Sequence, residues 1–195
     1  MKKLELSDVK NIYEYEKGRE EALRRIIELK RRRRVPVGRH LSFVFENRET
    51  VLYQIQEMCR AERIVDDARV QEEVDVYNDL IPGARELSAT LLIEIEDKAE
   101  IQAILDRLMG IDSGDHVWIQ VGRDYAIPAE FEPGRSDAER GKISAVHFVR
   151  FAFPPEAIRA FGEQDAYLVV DHPGEKARTR LPDEVKASLL EDLRS

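Results

Sequence analysis

The run NRETVLYQIQEMCRAERIV, residues 47–65, carries a helical stripe with a charge at one end, and the rest of the chain reads outward from it. At about 100° per residue, Val51, Leu52, Ile55, Met58 and Cys59 share roughly a third of the circumference, the width of a core-facing stripe. Asn47 stands where an N-cap accepts backbone N–H groups, and Glu49 where the positive end of the helix dipole favours a carboxylate. Glu62 projects onto the middle of the same arc, one turn past Met58. There it either runs beyond the core into water or needs a partner. The opposite face carries Tyr53, Gln56, Glu57 and Arg60.

Upstream, residues 1–17 hold Ser7-Asp8 and a short periodic segment. Glu20 to Arg34 is expected to form a helix with Leu23, Ile26 and Ile27 inward. Val35-Pro36-Val37-Gly38 stops it, because proline pushes its predecessor out of the helical region. The basic run Lys30 to Arg34 then complements the helix C-terminus as a solvated end. Residues 41–46 alternate as a strand leading into the 47–65 helix, and 66–78 carry a weak helical stripe through Val70, Val74 and Tyr77. Ile81-Pro82-Gly83 closes an N-terminal region, 1–83, with 47–65 as its lid helix.

Region 84–195 is more regular. Residues 87–96 alternate as a strand, and Asp97 caps a helix with Ile101, Ile104, Leu105 and Leu108 inward. Val117, Ile119 and Val121 mark a second strand, with Trp118 on the reverse face. A long polar loop is expected over 123–141. Residues 142–153 are apolar on both faces and are expected to form a central strand. A helix with Ala157, Ile158 and Phe161, a strand at 167–170 and a terminal helix with Val185, Leu189 and Leu190 follow. The order strand, helix, strand, strand, helix, strand predicts an α+β fold of the ferredoxin-like (βαββαβ) type. Its antiparallel sheet has one helix-covered face, and the N-terminal helical extension packs on the open face as a lid. The two regions are expected to make one compact domain.

With 195 residues the chain can bury a full core. No apolar run approaches the roughly 20 residues of a membrane span. The N-terminus lacks the apolar core of a signal peptide. The single cysteine, Cys59, fits a reducing compartment, so the cytoplasm is the expected location. A net charge of −8 argues against a protein that mainly grips phosphate backbones, so no nucleic acid and no membrane are expected as partners.

In the 142–153 strand, His147 falls on one face with Ala145, Val149 and Phe151, and Arg150 on the other with Val146, Phe148 and Ala152. A guanidinium in apolar company needs an acceptor. A lid over that face would let Glu62 and Arg150 meet, either as a structural ion pair or as part of an anion site with Arg60, Arg63 or Tyr53. Glu62 and His147 are the candidate proton-transfer groups, with a packed histidine as the plainer role for His147. No metal motif is present; His40, Glu46 and His147 are the residues that folding would have to assemble into one. Cys59, on the apolar stripe, is read as a packed thiol. No Gly-rich phosphate loop and no nucleophile elbow occur, and no cofactor is expected.

The runs FENRET (45–50), YQIQEMCRAERI (53–64), NDLIPG (78–83) and SAVHFVRF (144–151), in this order, resemble a bacterial family known as domain of unknown function 3501. The likeness covers nearly the whole chain and departs from the family at Met58-Cys59, where a bulky aliphatic is expected in place of the thiol. It implies no activity and no site residues. It does imply genes placed beside rubrerythrin and a heterodisulfide-reductase-like iron–sulfur oxidoreductase, and hence an association with redox and oxidative-stress physiology.

Two functions are compatible with these observations. The first is an accessory protein that binds a partner, an iron–sulfur oxidoreductase or rubrerythrin by association, or a second copy of itself as a homodimer. The second is a small-molecule enzyme or anion-binding sensor with a polar pocket between lid helix and sheet.

Overall fold

The structure is a computed structural model that describes residues 1–137 and 140–195. A 3-10 turn at Leu6–Asp8 precedes α1 (Ile12–Arg31), which begins earlier than expected because Asn11 caps it, accepting a hydrogen bond from the Glu14 N–H. β1 (Arg34–Val37) and β2 (Leu41–Glu46) follow, then α2 (Arg48–Ala61), α3 (Asp67–Asn78) and β3 (Glu86–Ile93). After α4 (Ile101–Arg107) come β4 (Val117–Val121), β5 (Tyr125–Pro128), β6 (Glu130–Phe131), β7 (Ser136–Asp137), β8 (Lys142–Ile143) and β9 (Val146–Ala152). α5 (Pro155–Glu163), β10 (Ala166–His172), β11 (Glu175–Arg180) and α6 (Asp183–Arg194) complete the chain. No helix among the described residues is long and apolar enough to cross a membrane.

The class is α+β, with antiparallel strand pairings throughout. The ferredoxin-like arrangement is not what forms. Its four expected strands are divided between two sheets, β3 and β9 in a five-stranded sheet ordered β1-β2-β3-β9-β6, and β4 and β10 in a four-stranded sheet ordered β11-β10-β4-β5. Each strand has the expected apolar face: Leu87, Ala89 and Leu91 in one sheet, Ile119, Val121, Leu168 and Val170 in the other. Those faces meet in one core, which helices also enter. Alternation specifies which face is buried, and the same pattern serves a sheet under helices or two sheets face to face.

The sheets also join at their seams. The chain leaves one sheet at Pro128 and enters the other at Glu130, with Ala129 N–H still donating to Val117 O at 2.9 Å. On the far side Thr179 of β11 donates to Pro36 O of β1 at 2.9 Å. The expected 123–141 loop thus supplies β5, β6 and β7; residues 138–139 of that stretch lie outside the described residues. The β2–β3 ladder crosses the 83/84 boundary, so the two regions share a sheet.

α5 and α6 pack on the core through Ala157, Phe161, Val185, Leu189 and Leu193. Above the outer face of the five-stranded sheet lies a second apolar cluster. Val51, Ile55 and Cys59 of α2, Val70 and Val74 of α3, Leu4 and Ile81 form it, with Phe148 of β9 packed against it. Of the expected stripe, Val51, Ile55 and Cys59 are buried in this cluster and Leu52 packs against it, while Met58 is not part of it.

The solvated reading of the basic run fails at Arg33. Its side chain is 1% exposed, forms an ion pair with Asp192 of α6, and donates to Phe45 O, Glu46 O and Ser188 Oγ. α1 ends two residues earlier, at Arg31, so Arg33 lies in the turn, where its side chain points inward.

Candidate functional site

α2 ends in a Schellman motif. Glu62 is the C-cap, Arg63 takes a left-handed φ of 53°, and Ile64 N–H closes on Cys59 O at 2.8 Å. Ile64 and Cys59 are both buried in the lid cluster, whereas Glu62 and Arg63 are exposed. Glu62 keeps the phase of the stripe, but the stripe has run out beneath it. It does not meet Arg150.

Arg150 instead donates to Glu86 at 3.1 Å and to the backbone oxygen of Asp79. It lies on the rim of a pocket of about 370 Å³ between the end of α3 and the sheet, lined by Leu80, Ser88, Glu130, Phe148 and others. No residue of α2 lines this pocket. Arg60, Arg63 and Tyr53 do not line it.

Tyr53 and Arg60 belong to the other side of α2, where α1 crosses. There Glu57 accepts from Tyr15 Oη at 2.8 Å, from Arg19 Nε and Nη2 at 2.8 and 2.9 Å, and from Arg60 Nη2 at 3.2 Å. The Arg19 fork, with help from Tyr15 and Arg60, holds the Glu57 carboxyl at about 2. Burial and the adjacent Glu57 push the Tyr15 hydroxyl up. Glu57 is engaged by Tyr15, Arg19 and Arg60 together, which suits the cluster to clamping two helices. Because the folded state depresses the Glu57 carboxyl from its ordinary 4.5, its stabilisation is complete above about pH 4.5 and is lost as pH falls towards about 2. A shift of that size corresponds to at most about 3 kcal/mol, and partial exposure brings the expected share nearer 1–2 kcal/mol. Urea titrations at a series of pH values should show Glu57→Gln less stable than wild type at neutral pH, with the two curves converging in acid. Parallel curves would contradict this.

Beside the clamp, α1 and α2 enclose an open groove of about 590 Å³. Gly18, Ala22 and Ile26 of α1 face Leu52, Tyr53 and Gln56 of α2 along it. Charges of both signs flank it, with Arg25 paired to Glu49 at 2.5 Å and Arg48 to Asp8 at 2.7 Å. Arg48 Nε is buried with no acceptor among the described residues.

His147 is on the inward face, opposite Arg150, as the alternation requires, and is fully buried. Its Nε2 lies 2.8 Å from Ser144 O and its ring stands edge-on to Phe131. Burial pushes its pKa down, against the pull of Asp112, whose carboxylate is 3.5 Å from Nδ1. His40, Glu46 and His147 are not brought together. Glu46 faces outward from β2, where Thr50 and Thr90 donate to it at 2.5 and 2.8 Å, while His147 faces the core. Among the described residues no group of three or more metal-ligating side chains forms. Cys59 is buried, and burial pushes its thiol up.

Tyr15, Gly18 and Arg19 are missing from the sequence-level site. Their signal was present, since residues 15, 19, 22 and 26 share one helical face, but only for a helix starting at Ile12 instead of Glu20. Ser88, Glu86 and Glu130 carried no local signal; strand pairing alone brings them to Arg150.

A family model described as "Protein of unknown function (DUF3501)" matches residues 3–193. No curated protein matches the chain. Among solved structures, a novel protein of unknown function from Burkholderia pseudomallei K96243 is similar, with 34% identity and a TM-score of 0.90 over 98% of this chain and 100% of that one.

Proposed function

Since the chain belongs to the family of proteins of unknown function DUF3501, we propose its function from its own geometry: it is a non-catalytic accessory protein whose α1–α2 groove receives a segment of a partner protein. Gly18 carries this reading. A glycine inside a helix costs about 0.5–1 kcal/mol relative to alanine, yet a Cβ there would meet nothing within 4 Å. No neighbour in the fold requires the gap, whereas a bulky side chain of an occupant seated against α1 would. The Glu57 cluster holds the two groove walls in register.

The gene neighbours implied by the family resemblance make a redox role part of the proposal, with the iron–sulfur oxidoreductase and rubrerythrin as first partners to test. The lone buried thiol fits a reducing compartment, so the proposal places the protein in the cytoplasm. Full-length chain should co-purify with one of the two proteins, and Gly18→Trp, which plugs the groove, should abolish the complex while leaving Tm unchanged or raised. Capture undiminished by Gly18→Trp, or no complex between the purified proteins, refutes the reading.

The pocket beside Arg150 favours a second reading, a small-molecule enzyme or anion-binding sensor. Arg150 would hold an acidic group of the ligand there, with its remaining N–H donors turned to the pocket.

A further inference from the structure

The outer face of the five-stranded sheet carries an ordered row of polar groups. Ser88 of β3 pairs with Arg150 of β9, and Arg150 pairs with Glu130 of β6. Adjacent strands lie about 4.8 Å apart, so the backbones that carry a hydroxyl, a guanidinium and a carboxylate stand in a row at that spacing. Phe148, two residues back along β9, supplies an apolar wall, and Leu80 past the end of α3 supplies another, with Asp79 beside it.

Several of these groups are unused by the fold. Ser88 is 3% exposed, lines the pocket, and its hydroxyl makes no hydrogen bond among the described residues. Glu130 and Asp79 enter no ion pair among the described residues. Arg150 gives one donor to Glu86 and one to Asp79 O, leaving further N–H groups. The pocket, about 370 Å³, falls within the range of small-molecule sites.

We propose that this pocket binds a free α-amino acid. The carboxylate is held by Arg150 and the Ser88 hydroxyl, the ammonium by Glu130 and Asp79, and the side chain lies along Phe148 and Leu80. A ligand with a carboxylate alone gains Arg150 but faces Glu130. One with an ammonium alone gains Glu130 but faces Arg150. Only a zwitterion with its two charges adjacent matches both neighbours. The inference rests on the small-molecule reading above and gives it a ligand class.

Isothermal titration of the full chain with each proteinogenic L-amino acid at millimolar concentration tests it. The best binder is then compared with its N-acetyl derivative, which lacks the ammonium, and its amide, which lacks the carboxylate. Each derivative should bind about tenfold or more weakly than the free amino acid. Glu130→Gln, at an exposed position, should weaken the free amino acid by about tenfold without changing Tm, and should not weaken the N-acetyl derivative. An N-acetyl derivative binding as tightly as the free amino acid overturns the zwitterion site and leaves the anion-sensor reading standing. An amide that binds as tightly overturns both, as does the absence of binding by every probe.

Discussion

Asp192→Ala is expected to lower the stability of the chain by about 3–5 kcal/mol, read as a fall in the urea midpoint. The partner left behind is Arg33, 1% exposed and always charged. Its remaining hydrogen bonds, to Phe45 O, Glu46 O and Ser188 Oγ, satisfy donors but supply no counter-charge. A guanidinium cannot escape by losing its proton, so the unfolded state, where it is hydrated, gains relative to the folded one. Replacing both groups with apolar residues, Arg33→Met with Asp192→Leu, should cost much less than Asp192→Ala alone, because no buried charge then stands unpaired. A loss below about 1 kcal/mol for Asp192→Ala would mean that water reaches Arg33. The consequence is architectural, since this pair ties α6 to the turn that opens the five-stranded sheet.

Gly174→Ala is expected to destabilise by about 3 kcal/mol, at the upper end of ordinary overpacking. Gly174 sits in the short turn between β10 and β11, against the end of α4. A Cβ there would lie 2.0 Å from Arg107 O and 2.8 Å from Arg107 C, both backbone atoms, so no rotamer change relieves the clash. The turn has little freedom to retreat. Gly174 N–H donates to His172 Nδ1 at 3.0 Å, and that tautomer leaves Nε2 to donate to Met109 O at 3.1 Å. The same substitution at Gly18, where a Cβ meets nothing within 4 Å, should instead stabilise by about 0.5–1 kcal/mol. Thermal or urea unfolding of the two variants should therefore move in opposite directions. Equal shifts would show that the turn yields to accommodate the methyl group.

The surroundings of Arg150 are only partly legible in the sequence. Alternation puts Arg150 and His147 on opposite faces of their strand, and they stand there. The acceptor for Arg150 was expected from α2 and came from Glu86, at the start of β3. Glu62 has the right helical phase, but phase says nothing about where the underlying surface stops.

Local pattern alone determined the capped α2 stripe of Val51, Ile55 and Cys59, the buried faces of β3, β4, β9 and β10, and α6 with Val185 and Leu189 inward. These follow from period 3.6 or 2, which a few consecutive residues express regardless of what they pack against. Tertiary structure decided the rest: the division of the strands into two facing sheets, the recruitment of β11, whose EKARTR has no apolar stripe, and the burial of Arg33 within a run of charges. Each of these depends on a partner distant in sequence, such as Asp192 for Arg33 or β10 for β11. Periodicity reports that a face must be covered, and only the folded chain determines what covers it.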